Sequence, residues 1–268
     1  MHPATFIPLR EVGAVRIAVV LSAGGLRGAA HVGVLRQLVR HRVPIDAIVG
    51  VSAGAIVAAY YAAVGLDFDE LIADAARFRG RHLLAHSVNV RLGHKLETRL
   101  GRFCGVIPDR VRQLAAASFD RLHHRVARLG IVCHDLTNGR PCYFSTGSDH
   151  GVALADAVLA SASIPHLFPS VTVCCDGQSI RLTDGGVSDG VPLAFARSRQ
   201  LGATHVIVSD CRWIGRALDG DETTVWLRPR MPETGTLWAP ARGLAKAVCG
   251  GDAAVTRQAL ERITSWLR

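Results

Sequence analysis

Ser52 lies at the centre of Gly50-Val51-Ser52-Ala53-Gly54, and Asp184 heads Asp184-Gly185-Gly186. A hydroxyl flanked by glycines and a carboxylate followed by glycines are residue types that acyl transfer uses. One attacks a carbonyl carbon, and the other takes the proton that the attack releases. The reaction also needs donors for the oxyanion. Ser22-Ala23-Gly24-Gly25-Leu26-Arg27-Gly28 is a glycine-rich loop whose backbone amides, from Gly24 to Gly28, can supply them. A Ser-Asp-His order would need a histidine after the acid, and only His205 follows Asp184. His205 falls inside an apolar run read as a strand, and His31 lies in the first turns of the glycine-loop helix, so both read as structural. Asp184 is therefore the better base, with partial burial expected to raise its pKa. Taken alone, its segment is equally compatible with a turn that does no chemistry.

The elements that must hold these groups are legible. Arg16–Leu21 is a continuous apolar run of the kind found in a parallel strand buried on both faces. It enters the glycine loop, and a helix over about Ala29–His41 follows. Ala47–Leu66 has no charged residue, but three glycines and a serine interrupt it. It reads as a strand at Ala47–Val49, a tight turn at Gly50–Gly54 and a helix over Ala55–Val64, not as a membrane span. That geometry puts Ser52 at a helix N-terminus, which favours developing negative charge. Parallel neighbouring strands end on one edge, so the glycine loop and the Ser52 turn should lie side by side. Asp67-x-x-Glu70 caps the next helix. Strands are expected at Leu129–Cys133, Cys142–Ser145, Val171–Cys174, Ser179–Thr183, His205–Ser209 and Thr224–Leu227. Helices are expected over Val152–Ala160, after Pro192 and over Ala253–Leu267.

Composition narrows the classes. The chain has 268 residues, 49% of them hydrophobic, which suits one large α/β domain. Seven cysteines without regular C-x-x-C pairs argue against a disulfide framework. The glycine loop has alanine at the first position of a G-x-G-x-x-G pattern and lacks the Walker lysine, which disfavours a nucleotide site. The N-terminus shows no signal peptide, so the expected location is the cytoplasm, with peripheral contact at the inner membrane face. The formal charge is +9, and residues 77–128 hold twelve Arg or Lys against three Asp or Glu. This mostly helical stretch reads as a basic cap insert near Ser52 that meets anionic lipid. An ordinary solvated face is the plain alternative. No nucleic-acid-binding module is recognisable.

Four blocks carry a resemblance. They are Leu21–Leu35, Gly50–Gly54, Ala160–Pro169 and Asp184–Pro192, in that order. Together they resemble a bacterial patatin-like phospholipase. The resemblance implies a three-layer α/β/α fold over 16–210 with a mainly parallel sheet, and leaves 211–268 as an extension packed on or beside it. It implies a Ser52–Asp184 dyad without histidine, and an oxyanion hole from Gly24, Gly25, Leu26 and Arg27. Gly28, Gly50, Gly54, Gly185 and Gly186 support the motifs. It implies a phospholipid or other lipid ester as substrate, with no metal or cofactor. Two positions depart from the family pattern: Ala23 replaces a loop glycine, and Gly190 replaces an asparagine. The function expected is that of a serine lipid acyl hydrolase, of phospholipase A or lysophospholipase type. The alternatives are a small-ester esterase, thioesterase or acyltransferase with the same dyad, or a non-catalytic membrane-binding regulator on this fold.

Overall fold

The computed structural model describes residues 14–77, 108–148, 150–214, 220–240 and 242–268. In chain order the elements begin with β1 (Ile17–Leu21), a 3-10 turn (Gly25–Ala29), α1 (Ala30–Arg40), β2 (Ala47–Val51) and α2 (Ala53–Ala59). A π-helical turn (Tyr60–Val64), α3 (Phe68–Arg77), α4 (Pro108–Ala115), β3 (Arg128–Asp135), β4 (Arg140–Ser145) and α5 (Leu154–Ser161) follow. The chain continues with β5 (Val171–Cys175), β6 (Gln178–Asp184), α6 (Leu193–Ala196), β7 (His205–Ser209), β8 (Thr224–Leu227), α7 (Gly243–Ala254) and α8 (Arg257–Ser265). One sheet has the order β5-β6-β3-β2-β1-β7-β8, with β4 also pairing β3. The arrangement is a three-layer α/β/α fold around a mixed sheet.

The continuous apolar runs are explained by burial on both faces. Ile17, Val19 and Leu21 join the core under the helix layer of α1, α2 and α5. Ala18 and Val20, pointing the other way, pack with Val49, Val51 and Phe195 towards α6. Strand alternation thus divides one run between two cores. The Asp67–Glu70 cap forms as expected: Glu70 N donates to Asp67 Oδ1 at 2.8 Å and Asp67 N to Glu70 Oε2 at 3.1 Å.

The C-terminal residues are more closely integrated than their sequence suggests. β8 pairs with β7 in parallel, continuing the sheet beyond residue 210. The helix expected over Ala253–Leu267 is two helices, because α7 ends at Ala254 and Thr256 caps α8. α7 lies directly against α1: a Cβ on Gly33 would sit 2.0 Å from the Val248 carbonyl oxygen, and one on Gly251 would sit 1.9 Å from that of Ala30. Arg36 and Asp252 pair across the same contact. Of the basic stretch, α4 and the loop leading into β3 are described. Residues 78–107, with Arg91, Lys95, Arg99 and Arg102, lie outside the described residues. No helix among the described residues is long and apolar enough to cross a membrane.

The α1–α7 contact sets a test. Gly251→Ala places a methyl group against backbone that cannot swing aside, so stability should fall by about 1–3 kcal/mol. A lower urea midpoint with an unchanged m-value is the expected reading.

Candidate functional site

The registers bring Ser52 and Asp184 together. β3 pairs with β4 on one edge over Gly130–Asp135. Its other edge is shared: β2 pairs in parallel with Arg128–Val132, and β6 pairs antiparallel with Cys133–Asp135. β2 and β6 therefore run towards each other along one line. Val51 is opposite Val132, and Asp184 is opposite the next residue, Cys133. The two C-terminal strand ends meet there, and Ser52 Oγ donates to Asp184 Oδ2 at 2.5 Å.

Both chains must leave the sheet sharply at this junction. Ser52 does so at φ 55°, ψ −123°, a left-handed conformation that costs a non-glycine residue on the order of 1–3 kcal/mol. Its amide donates to Ser161 Oγ at 2.9 Å, and that hydroxyl donates to Val132 O at 2.6 Å. Ser161 thus bridges the gap where strand pairing stops. On the other side, Asp184 enters a 3-10 turn, Gly185–Val187, and its Oδ1 accepts from Gly186 N at 2.7 Å.

The motif glycines are places of close backbone approach. A Cβ on Gly54 would meet Leu21 O at 2.2 Å, and one on Gly185 would meet Val132 O at 2.2 Å. Gly50 faces the Gly54 carbonyl and Ala55, Gly28 faces Ala53, and Gly186 faces Ala23. The glycine loop therefore lies directly against the Ser52 turn, as parallel β1 and β2 require.

Of the four oxyanion candidates, two donate their amides to carbonyls within the protein. Leu26 N donates to Thr236 O at 2.8 Å, and Arg27 N to Gly24 O at 3.2 Å. Those two expected oxyanion donors are engaged within the protein. The amides of Gly24 and Gly25 donate to no partner among the described residues. Arg27 acts through its side chain instead. It is buried, with Nε donating to Cys211 O at 2.9 Å and Nη1 to Met231 O at 3.1 Å and Thr234 O at 2.8 Å. It ties the glycine loop to the C-terminal segment.

Ala23, at the family's glycine position, donates its amide to Gly190 O at 3.2 Å, so the two departures from the pattern contact each other. Neither histidine approaches Ser52 as a base. His205 begins β7, at the opposite ends of the strands from Ser52, against Thr204 and Trp266. His31 is fully buried, with Nε2 3.0 Å from Ser22 O and Nδ1 2.8 Å from Ser209 Oγ. A carbonyl only accepts, so Nε2 carries the proton and Nδ1 accepts from the serine. Burial lowers its pKa to about 4, which keeps the ring neutral.

Nothing in the sequence assigns a role to Ser161, to Thr236 or to the Arg27 side chain. Ser161 lay within a recognised block, but neither its spacing nor its type pointed to the strand junction. Burial pushes the Asp184 carboxyl up to about 6, against the hydrogen bonds from Ser52 and Gly186 that pull it down. Two cavities, of about 460 and 780 Å³, are lined by Val15, Arg42, Pro44 and Arg128 among others. They open at the N-terminal ends of the strands, away from Ser52.

The patatin-like phospholipase family model matches residues 19–197. The chain belongs to the patatin-like phospholipase family. An uncharacterized NTE family protein of Mycobacterium tuberculosis is 30% identical over 191 residues, which cover 68% of this chain and 28% of the relative. Patatin-like phospholipase domain-containing protein 6 of Mus musculus is 30% identical over 204 residues, covering 72% and 13% respectively. The chain thus spans less than a third of these two relatives' lengths. VipD from Legionella pneumophila shares the fold, with a TM-score of 0.55 at 14% identity over 94% of this chain and 67% of that one. Membership places the chain in a family of lipid hydrolases, and the family blocks converge on Ser52 and Asp184.

The raised Asp184 pKa has a stability consequence. Its folded value lies above the unfolded one of 3.8, so the neutral acid favours folding, and that advantage is lost as pH rises from about 4 through about 6. Asp184→Asn should therefore gain on the parent as pH rises, by on the order of 2 kcal/mol at pH 8. Thermal melts of both proteins at pH 4.5 and pH 8 check the sign.

Proposed function

We propose that the protein is a serine lipid acyl hydrolase of phospholipase A or lysophospholipase type, with Ser52 as nucleophile and Asp184 as its base. The 2.5 Å hydrogen bond between them carries this reading. Asp184 Oδ2 takes the proton as Ser52 Oγ bonds to the ester carbonyl carbon. The carbonyl oxygen becomes an oxyanion, held by the amides of Gly24 and Gly25. Collapse breaks the ester C–O bond, and the departing alcohol takes the proton from Asp184. Water then attacks the acyl-serine, again losing its proton to Asp184, and Ser52 leaves with that proton as the fatty acid departs. A carboxyl with its pKa near 6 is ionised at neutral pH and still more basic than an ordinary carboxylate. The substrate we infer is a phospholipid or related lipid ester reached at a membrane surface. Membership of a phospholipase family and the relatives' names support this.

A fluorophosphonate should label Ser52 in peptide mapping, and absence of that label from folded protein would remove the nucleophile. Ser52→Ala should abolish ester hydrolysis. Ser52→Gly should do so as well, while melting above the alanine variant because glycine relieves the positive φ. Asp184→Asn should lower kcat/KM by about 10²–10⁴, whereas His205→Gln should change it little. For the parent, kcat/KM should fall as pH drops through about 6, the range in which Asp184 takes up its proton. An acid limb absent down to pH 4 would rule out this base.

A further inference from the structure

Five exposed large apolar side chains lie on loops joined to the site. Val187 is 52% exposed, Trp213 60%, Ile214 86%, Leu237 42% and Trp238 66%. They come from three loops, each fastened to the reacting groups. Val187 ends the 3-10 turn that begins after Asp184. Trp213 and Ile214 follow Cys211, which packs against Gly24, and the Trp213 ring lies 5.0 Å from the Arg27 guanidinium carbon. Leu237 and Trp238 follow Thr236, whose carbonyl oxygen accepts the Leu26 amide and lies against Gly25.

Single exposed apolar residues are ordinary, but a group on separate loops around one site calls for a partner. Two observations indicate what that partner is. Neither the Trp213 nor the Trp238 indole N–H donates a hydrogen bond among the described residues, so each ring offers an apolar body and an unused polar edge. That combination suits the boundary between headgroups and acyl chains. The same stretch also carries exposed Arg230 and Arg242, which have no acidic partner among the described residues and which anionic headgroups would attract.

We propose that Val187, Trp213, Ile214, Leu237 and Trp238 form a docking collar that seats the mouth of the Ser52 site on a lipid–water interface. The choice of lipid as partner rests on the hydrolase reading above. The collar gives it a specific consequence: Cys211 and Thr236 also support the Gly24–Gly25 turn, so docking brings the oxyanion amides to the surface where the ester carbonyls lie. In this arrangement the described loops at 187, 213–214 and 237–238 dock the enzyme independently of the basic stretch at 78–107.

The test uses full-length chains with one tryptophan each, the other three replaced by phenylalanine. They are mixed with phosphatidylcholine–phosphatidylglycerol vesicles, with or without brominated acyl chains. Trp213 and Trp238 should shift to the blue and be quenched by the brominated lipid, whereas Trp226 should not. In the otherwise native chain, Ile214→Ser with Trp238→Ser should raise the lipid concentration for half-maximal binding at least about tenfold. The thermal midpoint should stay near the parent's, and Ile214→Ser alone serves if the pair misfolds. Trp213 and Trp238 both unquenched, or unchanged vesicle binding in the folded variants, would overturn the collar, whether or not a protein binds there instead. Quenching does not require turnover, so the two readings fail separately. A chain that docks but leaves Ser52 unlabelled keeps the collar and loses the hydrolase. One that labels but is not quenched does the reverse.

Discussion

Everything at the site depends on two strands sharing one edge of β3 and running head-on. Val132 is the last partner of β2 and Cys133 the first of β6, so no residue of β3 separates the two pairings. Neither chain can continue straight. One turns out at Ser52 with a positive φ, and the other at Gly185–Val187 in a 3-10 turn. The collision brings a hydroxyl and a carboxylate within 2.5 Å without a histidine between them. It also interrupts the hydrogen-bond ladder, and a buried peptide group cannot be left unpaired cheaply. The Ser161 hydroxyl meets that need, accepting from Ser52 N and donating to Val132 O.

The same junction concentrates features that oppose folding. A carboxyl group is buried with two hydrogen bonds and no cationic partner among the described residues. A serine is held in a conformation suited to glycine, and several backbone segments approach too closely for any side chain between them. The two apolar cores on either face of β1, β2 and β3 offset these costs. Burial makes the Asp184 carboxyl more basic, and the sharp turn leaves Ser52 Oγ facing it.

The glycine loop is held from both ends of the chain. β1 delivers it, but Arg27 reaches across to carbonyls at Cys211, Met231 and Thr234, while Thr236 accepts the Leu26 amide. A buried guanidinium is tolerable because its donors are matched to carbonyl oxygens. Leu26 is thereby committed to structure, while the amides of Gly24 and Gly25 donate to no partner among the described residues.

Much of this was readable from residue order. The apolar runs at 17–21 and 205–209, the turn glycines, the Asp67–Glu70 cap and the four motif blocks are local signals. They foretell their elements because backbone propensity and strand alternation act over a few residues. The two-glycine stretch of α7 hid a helix, since Gly250 and Gly251 weaken helical propensity while allowing contact with α1. Ser52 and Asp184 were recognisable by type and neighbours, and the family likeness joined them. How they meet could not be read: the head-on course of β2 and β6 is set by pairing between residues far apart in the chain. The same holds for the engaged amides of Leu26 and Arg27, for Ser161 and for the contacts of the Cys211 and Thr236 segments with Gly24 and Gly25. Each depends on which distant carbonyl, hydroxyl or loop the fold brings within a few ångströms, and only tertiary packing decides that.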